Sequence, residues 1–459
     1  MGAATAMRMQ SGTQAQATGP VLVLGMGGTG AACARYLAAR GTAAIFADTR
    51  AAPPGLAAIR AALPAAEIHA GQIPQKLPAQ IRQVVISPGV DLHLPILKDA
   101  RQRGVPVLSD IDLFVSEAAA PIVAITGSNG KSTVTSMLGE MLAATGLRVG
   151  VGGNLGTPAL DLLDPAQQFY VLELSSFQLE RSQLIEAAAA VLLNVSPDHL
   201  DLHGDMAGYT AAKARIYARC KVAVVNRDEP ALAALIPAGT SVIGFGLGMP
   251  GDGEFGVLHR TDGSWLARGS EALLPVTDLQ LTGRHNISNA LAALALGTAC
   301  GLAPATLLPG LRAYRPLPHR MAIVTSGDGR TWIDDSKATN VGAAVASIGS
   351  LDGPLVLIAG GDGKGASFSM LAEALRGREC VAVLLGRDRE LLAAALQGIC
   401  PVQRVDDMPA AVRAARAVAK RGWTVLLAPA CSSLDMYRDY GARGDAFRAA
   451  VLALAENGA

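Results

Sequence analysis

The chain has 459 residues, of which 50% are hydrophobic and 17% charged, so it is not intrinsically disordered and exceeds what one hydrophobic core usually supports. Its 39 Lys and Arg nearly balance 38 Asp and Glu, which excludes a general electrostatic attraction to nucleic acid. No apolar run reaches the roughly 20 residues that span a bilayer, and neither a secretory leader nor a CxxC pair is present. We therefore expect a cytoplasmic monomer with small-molecule ligands, no nucleic acid and no membrane span.

Strand-like and helix-like stretches alternate along the chain after a small, polar tail at 1–19. This alternation predicts parallel sheets with crossover helices, in three α/β domains at 20–118, 119–316 and 317–459. The first and third domains are expected to be Rossmann-like and the central domain P-loop-like. A hairpin is predicted near 251–269, followed by a long helix.

The first domain opens with GMGGTG, in which Gly25, Gly27 and Gly30 match GxGxxG directly after a predicted strand. Asp48 closes the next strand, at a spacing typical of an acid that contacts a ribose. The pattern predicts a nucleotide diphosphate at a helix N-terminus. It does not choose between NAD and another diphosphate, and a turn without a ligand is the alternative.

The central domain opens with TGSNGKST (126–133), between a strand and a helix. Gly127 and Gly130 would let the backbone approach phosphate, Lys131 would neutralise charge, and Ser132 and Thr133 would offer hydroxyls to Mg²⁺. The Walker pattern requires a glycine at 125, where this chain has isoleucine. We interpret the loop as a triphosphate site of a family other than the common NTPases, with a capped turn as the alternative.

Several charged residues follow other predicted strands. Glu173 interrupts an apolar strand and is either a Mg²⁺ ligand or a solvated edge residue, and Asp198 and His199 belong either to a ligand site or to a polar surface loop. From chemistry alone, Lys213 is interpreted as a solvated helix lysine. In the third domain, the strand-end segments LPHR, DDSKATN, GGDGKG and PACSSLD together favour a ligand-facing rim, although each alone is ordinary loop chemistry.

These motifs, together with GGNLGTP, VLELSSFQLE, NVSPDHLD, YTAAKARIY and GRHNISNALAALA, occur in order over about 20–455. In this the chain resembles the ATP-dependent Mur ligases of peptidoglycan precursor synthesis. The resemblance implies that the three domains bind, in turn, the UDP of the sugar precursor, ATP with Mg²⁺, and the incoming amino acid. GMGGTG would then bind UDP rather than NAD. Met321 and Ala322 after LPHR, and Gly365 in GGDGKG, depart from the family pattern.

The resemblance also implies roles for individual residues, with Lys131, His199 and Lys213 as the catalytic residues. The ATP contacts would be Gly127, Ser128, Asn129, Gly130, Lys131, Ser132, Thr133, Asn286, Asn289, Arg320 and Asp335. Two Mg²⁺ ions would be held by Ser132, Glu173, His199 and Lys213, the last as a carbamate. The UDP substrate would contact Thr29, Gly30, Asp48, Arg50, Ser87 and Asn154. D-Glutamate would contact Lys337, Thr339, Lys364, Ser433, Leu434 and Tyr440.

The implied reaction joins D-glutamate to UDP-N-acetylmuramoyl-L-alanine through an acyl phosphate, with ATP converted to ADP and phosphate. An amine of pKa about 10.4 is neutral only ~0.1% of the time at pH 7, so the surroundings of Lys213 should lower its pKa if CO₂ is to add. Alternatives are another Mur-type ligase, a folylpolyglutamate synthase-like ligase, and a nucleotide-binding regulator without catalysis. The retained Lys131, Glu173, His199 and Lys213 argue against the regulator.

Overall fold

The computed structural model of the chain describes residues 19–183, 185–281, 283–324 and 327–456, so 1–18 of the predicted tail lie outside it. The backbone forms two compact units. Unit 1 extends to Ala118 and also includes Gly156–Leu163 and Glu180–Ile185, whereas unit 2 comprises Ala119–Leu155, Asp164–Leu179 and the chain from Glu186 onward.

Unit 1 is built on a five-stranded sheet of short apolar runs. Its strands are β1 (Val21–Leu24), β2 (Ala44–Asp48), β3 (Glu67–Ala70), β4 (Gln83–Ile86) and β5 (Val107–Ser109). Its helices are α1 (Gly28–Ala39), α2 (Leu56–Ala62), α3 (Pro95–Gln102) and α4 (Asp110–Glu117). All strand pairs are parallel, in the order β3-β2-β1-β4-β5. The topological switch therefore falls beside β1, where ligands of such sheets bind.

Unit 2 contains a nine-stranded sheet in its first part. The strands are β6 (Ile122–Thr126), β7 (Val149–Gly153), β8 (Phe169–Glu173), β9 (Ala189–Leu192), β10 (Val222–Asn226), β11 (Ser241–Phe245), β12 (Phe255–Arg260), β13 (Gly263–Arg268) and β14 (Glu271–Pro275). The helices are α5 (Lys131–Ala143), α6 (Ser176–Arg181), α7 (Leu200–His203), α8 (Met206–Ala214), α9 (Arg284–Ala299) and α10 (Pro304–Ala313). The strand order is β14-β13-β12-β11-β10-β9-β6-β8-β7. The β13 strand is antiparallel to both of its neighbours, β12 and β14. Apolar residues of α5, α9 and this sheet share one core.

The rest of unit 2, which we call the C-terminal segment (317–456), contains a six-stranded sheet. The strands are β15 (Ala322–Val324), β16 (Thr331–Asp334), β17 (Leu355–Gly360), β18 (Cys380–Leu385), β19 (Val402–Arg404) and β20 (Thr424–Leu427). The helices are α11 (Val341–Gly349), α12 (Ser369–Leu375), α13 (Arg389–Ala395), α14 (Met408–Val418) and α15 (Tyr440–Glu456). The strand order is β15-β16-β20-β17-β18-β19. The β15–β16 pair is antiparallel, and the other pairs of this sheet among the described residues are parallel. Separate apolar cores lie on its two faces, as expected of a covered parallel sheet.

The predicted α/β fold with parallel sheets is confirmed, including the hairpin of β12 and β13 and the long helix α9. The domain boundaries at 118 and 316 stay a prediction. Among the described residues, no helix combines the length and apolar character needed to cross a membrane.

Candidate active site

A glycine-rich loop joins β6 to α5 in unit 2. Gly130 precedes α5 with φ +83°, a conformation that favours glycine, and a β-carbon there would lie 2.5 Å from Asn289 Oδ1. The loop is fixed by Asn194, whose carbonyl accepts from Ser128 N and whose Oδ1 accepts from Asn129 N, both at 2.9 Å. No side chain caps the start of α5. Its first amides therefore face the loop as a ready anion site.

Two lysines converge on this loop. Lys131 Nζ donates to the carbonyl oxygens of Gly127 at 2.8 Å and Ser128 at 2.9 Å, and Lys213 Nζ donates to the Gly127 oxygen at 2.9 Å. Lys213 is only 1% exposed, and its ammonium lies 4.6 Å from the ring centroid of Tyr209. Burial, then the nearby Lys131 charge, lowers the pKa of Lys213 well below its usual value. The interpretation of Lys213 as a solvated helix lysine is wrong.

Glu173 lies at the carboxyl end of β8 and is 2% exposed, so it is not a solvated edge residue. Its Oε1 accepts a hydrogen bond from Asn154 Nδ2 at 2.6 Å. Its Oε2 is buried and has no hydrogen-bond partner among the described residues. A buried carboxylate oxygen without a partner is costly unless a cation neutralises it.

Asp198 and His199 lie beyond β9, where the loop turns into α7. Asp198 Oδ1 accepts from Lys364 Nζ at 3.1 Å and lies 3.6 Å from His199 Nε2, while Asn340 Nδ2 donates to Oδ2 at 3.3 Å. Burial alone would raise the pKa of Asp198, but the charges of Lys364 and His199 outweigh it and lower that pKa. His199 has φ +54° and contacts Phe177 edge-on, with ring centroids 5.2 Å apart.

These groups surround one cavity of about 660 Å³ within unit 2. The cavity is lined by most of the predicted ATP, metal and amino-acid residues: Ser128, Asn129, Gly130, Lys131, Ser132, Thr133, Glu173, His199, Lys213, Asn286, Asn289, Arg320, Asp335, Lys337, Thr339 and Lys364. Among the described residues, the lining contains five Lys or Arg and four Asp or Glu, so basic groups only slightly outnumber acidic ones. The predicted residues Ser433, Leu434 and Tyr440 do not line it, and Leu434 is 71% exposed.

Two groups of the C-terminal segment complete the cavity. Asp335 accepts a hydrogen bond from Ser347 Oγ, and burial raises the pKa of this carboxyl to about 6. Lys337 Nζ lies 3.9 Å from the ring centroid of Tyr440, which connects Tyr440 to the cavity indirectly. Burial, with the Arg320 charge next, lowers the pKa of Lys337 to about 8.

The GMGGTG loop lies in unit 1 between β1 and α1. A β-carbon on Gly30 would lie 2.2 Å from the Gly25 oxygen, whereas one on Gly27 or Gly28 would meet nothing within 4 Å. The loop therefore packs tightly at Gly30 and, as far as the described residues go, has open space beside Gly27 and Gly28, as phosphate-binding loops of this pattern require.

The other predicted UDP residues are placed as follows. Asp48, at the end of β2, accepts hydrogen bonds from Met26 N at 2.7 Å and from the guanidinium of Arg50 at 2.6 and 2.9 Å. The hydrogen bond from Arg50 lowers the pKa of Asp48 to about 2, because it outweighs the opposite effect of burial. Ser87 follows β4 and donates to the Gly25 oxygen at 3.2 Å. Thr29 is the second residue of α1, which follows β1. Asn154 belongs instead to unit 2.

Sequence reasoning did not single out Tyr209, Asn194 or Asn340. Tyr209 lies one helical turn before Lys213, and Tyr209, Ala212 and Lys213 are the buried residues of α8. That spacing of three and four residues is the signal that Lys213 faces inward. Asn340 is the N-cap of α11, whose Oδ1 accepts from Ala343 N at 2.8 Å. An Asn before an apolar run is a recognisable cap, but its long-range partners are not visible in the sequence.

Two glycine loops at helix N-termini, one in each unit, and a polar cavity in unit 2 are typical of nucleotide-binding α/β proteins. Family models match three successive parts of the chain: the MurD-like N-terminal domain of Mur ligases over 19–109, the Mur ligase middle domain over 125–297, and the Mur ligase glutamate ligase domain over 319–431. The chain belongs to the Mur ligase family.

Individual relatives are similar over nearly their whole length. UDP-N-acetylmuramoylalanine–D-glutamate ligase of Nitrosococcus oceani is 48% identical over 95% of this chain and 97% of its own, and that of Pseudomonas aeruginosa is 48% identical over 95% and 98%. Among solved structures, a MurF ligase from Thermotoga maritima in complex with ADP has a TM-score of 0.59 at 17% identity, covering 91% of this chain and 96% of its own. A UDP-N-acetylmuramate-alanine ligase from the same organism has a TM-score of 0.58 at 18% identity, covering 94% and 98%. These two structures establish the likeness of fold alone.

Proposed function

We propose that this protein is an ATP-dependent ligase that joins D-glutamate to UDP-N-acetylmuramoyl-L-alanine in peptidoglycan precursor synthesis. The observation that carries the proposal is the convergence of Lys131 and Lys213 on the Gly127 oxygen, in the cavity that also holds the Glu173 oxygen without a hydrogen-bond partner among the described residues. A redox dinucleotide enzyme has no use for such a second phosphate loop. The near-full-length similarity to D-glutamate ligases supports the choice of substrates.

Mg²⁺ fits the residues present. The buried Oε2 of Glu173 has no hydrogen-bond partner among the described residues and would accept a cation, and Ser132, which is 4% exposed, lies in the first turn of α5 and lines the same cavity. We assign Ser132 and Glu173 to one ion and His199 and Lys213 to a second. Among the described residues no group of three His, Cys, Asp or Glu could hold a metal ion, and we propose that an anionic group on Lys213 adds a ligand for the second ion. When bound, Mg²⁺ would reduce the repulsion between a carboxylate and the triphosphate.

A carbamate on Lys213 supplies that ligand. Its formation requires the neutral amine, and burial with the Lys131 charge favours that form by lowering the pKa of Lys213. The carbamate nitrogen keeps one N–H, which preserves a donor for the Gly127 oxygen that now accepts at 2.9 Å. The modification therefore fits the existing contact and replaces a cation by an anion.

In the proposed reaction the terminal carboxylate of UDP-N-acetylmuramoyl-L-alanine attacks the γ-phosphorus of ATP. A carboxylate oxygen–phosphorus bond forms and the bond to ADP breaks. The amine of D-glutamate then attacks the acyl carbon, phosphate leaves, and the amine loses a proton. Lys131 and the amides at the start of α5 would stabilise the transferred phosphoryl group, and Lys337, Thr339 and Lys364 would receive the amino acid.

The proposal is tested with purified full-length protein, ATP, Mg²⁺ and UDP-N-acetylmuramoyl-L-alanine, with phosphate release measured for each added amino acid. We expect release with D-glutamate and little with L-glutamate, L-lysine or diaminopimelate. Hydroxylamine added in place of D-glutamate should trap the acyl phosphate as a hydroxamate. No release with D-glutamate, or equal release with L-lysine, would contradict the proposal.

A further inference from the structure

The side chain of Asn340 has contacts on both sides of the cavity. Its Oδ1 caps α11, while its Nδ2 donates to Asn129 Oδ1 of the phosphate loop at 3.1 Å and to Asp198 Oδ2 at 3.3 Å. Asn340 is 7% exposed, and both of these hydrogen bonds are partly buried. A capping residue needs only its acceptor oxygen. The two hydrogen bonds that the amide nitrogen donates are therefore not part of the helix cap.

Asp198 also forms an ion pair with Lys364, a second residue of the C-terminal segment. Lys364 Nζ lies 3.1 Å from Asp198 Oδ1, so the two oxygens of this carboxylate bind two different loops of that segment. Lys364 has φ +52°, and its amide donates to Asp362 Oδ1 at 3.0 Å. A lysine at such a φ is held there by its surroundings rather than by its own preference.

The backbone at the start of α11 also approaches the phosphate loop closely. A β-carbon on Gly342 would lie 2.8 Å from Ser196 Oγ and 3.3 Å from Asn129 Nδ2. Ser196 Oγ is the group to which Asn129 Nδ2 donates at 3.3 Å. A side chain at 342 would thus collide with Ser196 and with Asn129, one of the two residues to which Asn340 Nδ2 donates.

We propose that Asn340 is a positioning residue which, together with Lys364, docks the C-terminal segment on Asn129 and Asp198. Asn129 belongs to the loop expected to bind ATP, so the place of α11 depends on the conformation of that loop. The docking itself follows from contacts within unit 2, whereas its effect on catalysis rests on the proposed function. Asp198 is then a docking residue and not a metal ligand.

The first test is hydrogen–deuterium exchange in full-length Asn340→Ser. Serine keeps the cap of α11 but cannot reach the phosphate loop with an amide. We expect exchange in 127–133 and 194–199 to rise about tenfold, equivalent to about 1.4 kcal/mol, with exchange in α11 unchanged. A change confined to α11, or none at all, would overturn the proposal.

A matched pair of variants tests the same docking without altering Asn340. Gly342→Leu places a side chain against Ser196 and Asn129, while Gly349→Leu adds the same side chain to the same helix where a β-carbon meets nothing within 4 Å. We expect faster exchange in 127–133 for Gly342→Leu only. Equal behaviour of the two variants would contradict the docking.

Kinetics separate this inference from the proposed function. If the wild type has ligase activity, Asn340→Ser should lower kcat/KM for the amino acid about tenfold, while the Kd for ADP changes less than about twofold. An equal loss of ADP affinity would indicate a damaged phosphate loop and overturn the positioning role. If the wild type has no ligase activity, the proposed function fails, and the exchange experiments still decide the docking.

Discussion

The ammonium groups of Lys131 and Lys213 donate to one shared acceptor, the carbonyl oxygen of Gly127, at 2.8 and 2.9 Å. Two cations that share an acceptor in a buried site repel each other, and this repulsion lowers the pKa of Lys213 further than burial alone. Conversion of Lys213 to a carbamate would turn the repulsion into attraction. The pair thus gives a physical reason for an otherwise costly buried lysine.

Removal of the Lys213 amine should abolish most activity. We expect Lys213→Ala to reduce phosphate release by at least about 10²-fold, since an anionic ligand and its charge are both lost. Small carboxylates such as acetate should partly restore activity by occupying the vacated volume. Lys221→Ala, at an exposed lysine eight positions away, is the control and should retain activity. Full activity of Lys213→Ala without added carboxylate would show that the carbamate role is wrong.

Neutralisation of Glu173 should separate activity from stability. Glu173→Gln retains an acceptor for Asn154 but removes the charge from the partnerless Oε2. We expect activity to fall about 10²- to 10³-fold, with a higher Mg²⁺ concentration needed for half-maximal rate. Because the lost charge is buried and its Oε2 has no hydrogen-bond partner among the described residues, Tm without Mg²⁺ should stay the same or rise. A lowered Tm with an unchanged Mg²⁺ requirement would indicate a structural role.

Substitution of Gly130 should block the phosphate loop by both strain and collision. Gly130→Ala puts a β-carbon 2.5 Å from Asn289 Oδ1 at a φ of +83°, whereas Gly146→Ala at φ +87° meets nothing within 4 Å. Both variants place an alanine in the left-handed region of the backbone, at a cost of about 1–2 kcal/mol. The difference in ADP affinity between them therefore reports the collision with Asn289 alone. Calorimetry with ADP should show binding to Gly146→Ala and little to Gly130→Ala. Equal affinities would mean that this loop does not cradle phosphate.

Asp110 should make the stability of the protein depend on pH. This carboxyl is 3% exposed, its Oδ1 has no hydrogen-bond partner among the described residues, and burial raises its pKa from the ordinary 3.8 to about 7. The folded chain therefore binds a proton more tightly than the unfolded chain, and stability falls as pH rises from about 4 to about 7. The loss is at most about 4 kcal/mol.

Asp110→Asn should remove this pH dependence. We expect its Tm to exceed that of the wild type at pH 8 and to match it near pH 4. Asp407→Asn, at an exposed helix cap, is the control and should show no such crossover. A Tm difference that is the same at both pH values would contradict the explanation by proton binding.

The fold was largely predictable because parallel strands covered on both faces are continuous apolar runs. VLVL of β1 and LVLIAG of β17 are buried along their whole length. The glycine loops were predictable for a related reason, since Gly130 and Gly25 serve local backbone needs that a short motif reveals.

Pairings over long sequence distance were not predictable. Asp198 and Lys364 are 166 positions apart, and Asn129 and Asn340 are 211 apart. In each pair, the sequence around one residue does not indicate which distant residue it contacts. Lys213 shows the intermediate case, because its inward direction follows from the spacing to Tyr209 but its acceptor, Gly127, does not.

The composition of unit 1 from three separate pieces of chain has a practical consequence. Arg35 of α1 donates to Asp161 at 2.8 Å, and Asp112 of α4 accepts from Gln183 N at 2.7 Å. A gene truncated after codon 118 would encode neither Asp161 nor Gln183, and its product would lack these two hydrogen bonds. Transfer of unit 1 to another protein therefore requires all three pieces of chain, 1–118, 156–163 and 180–185.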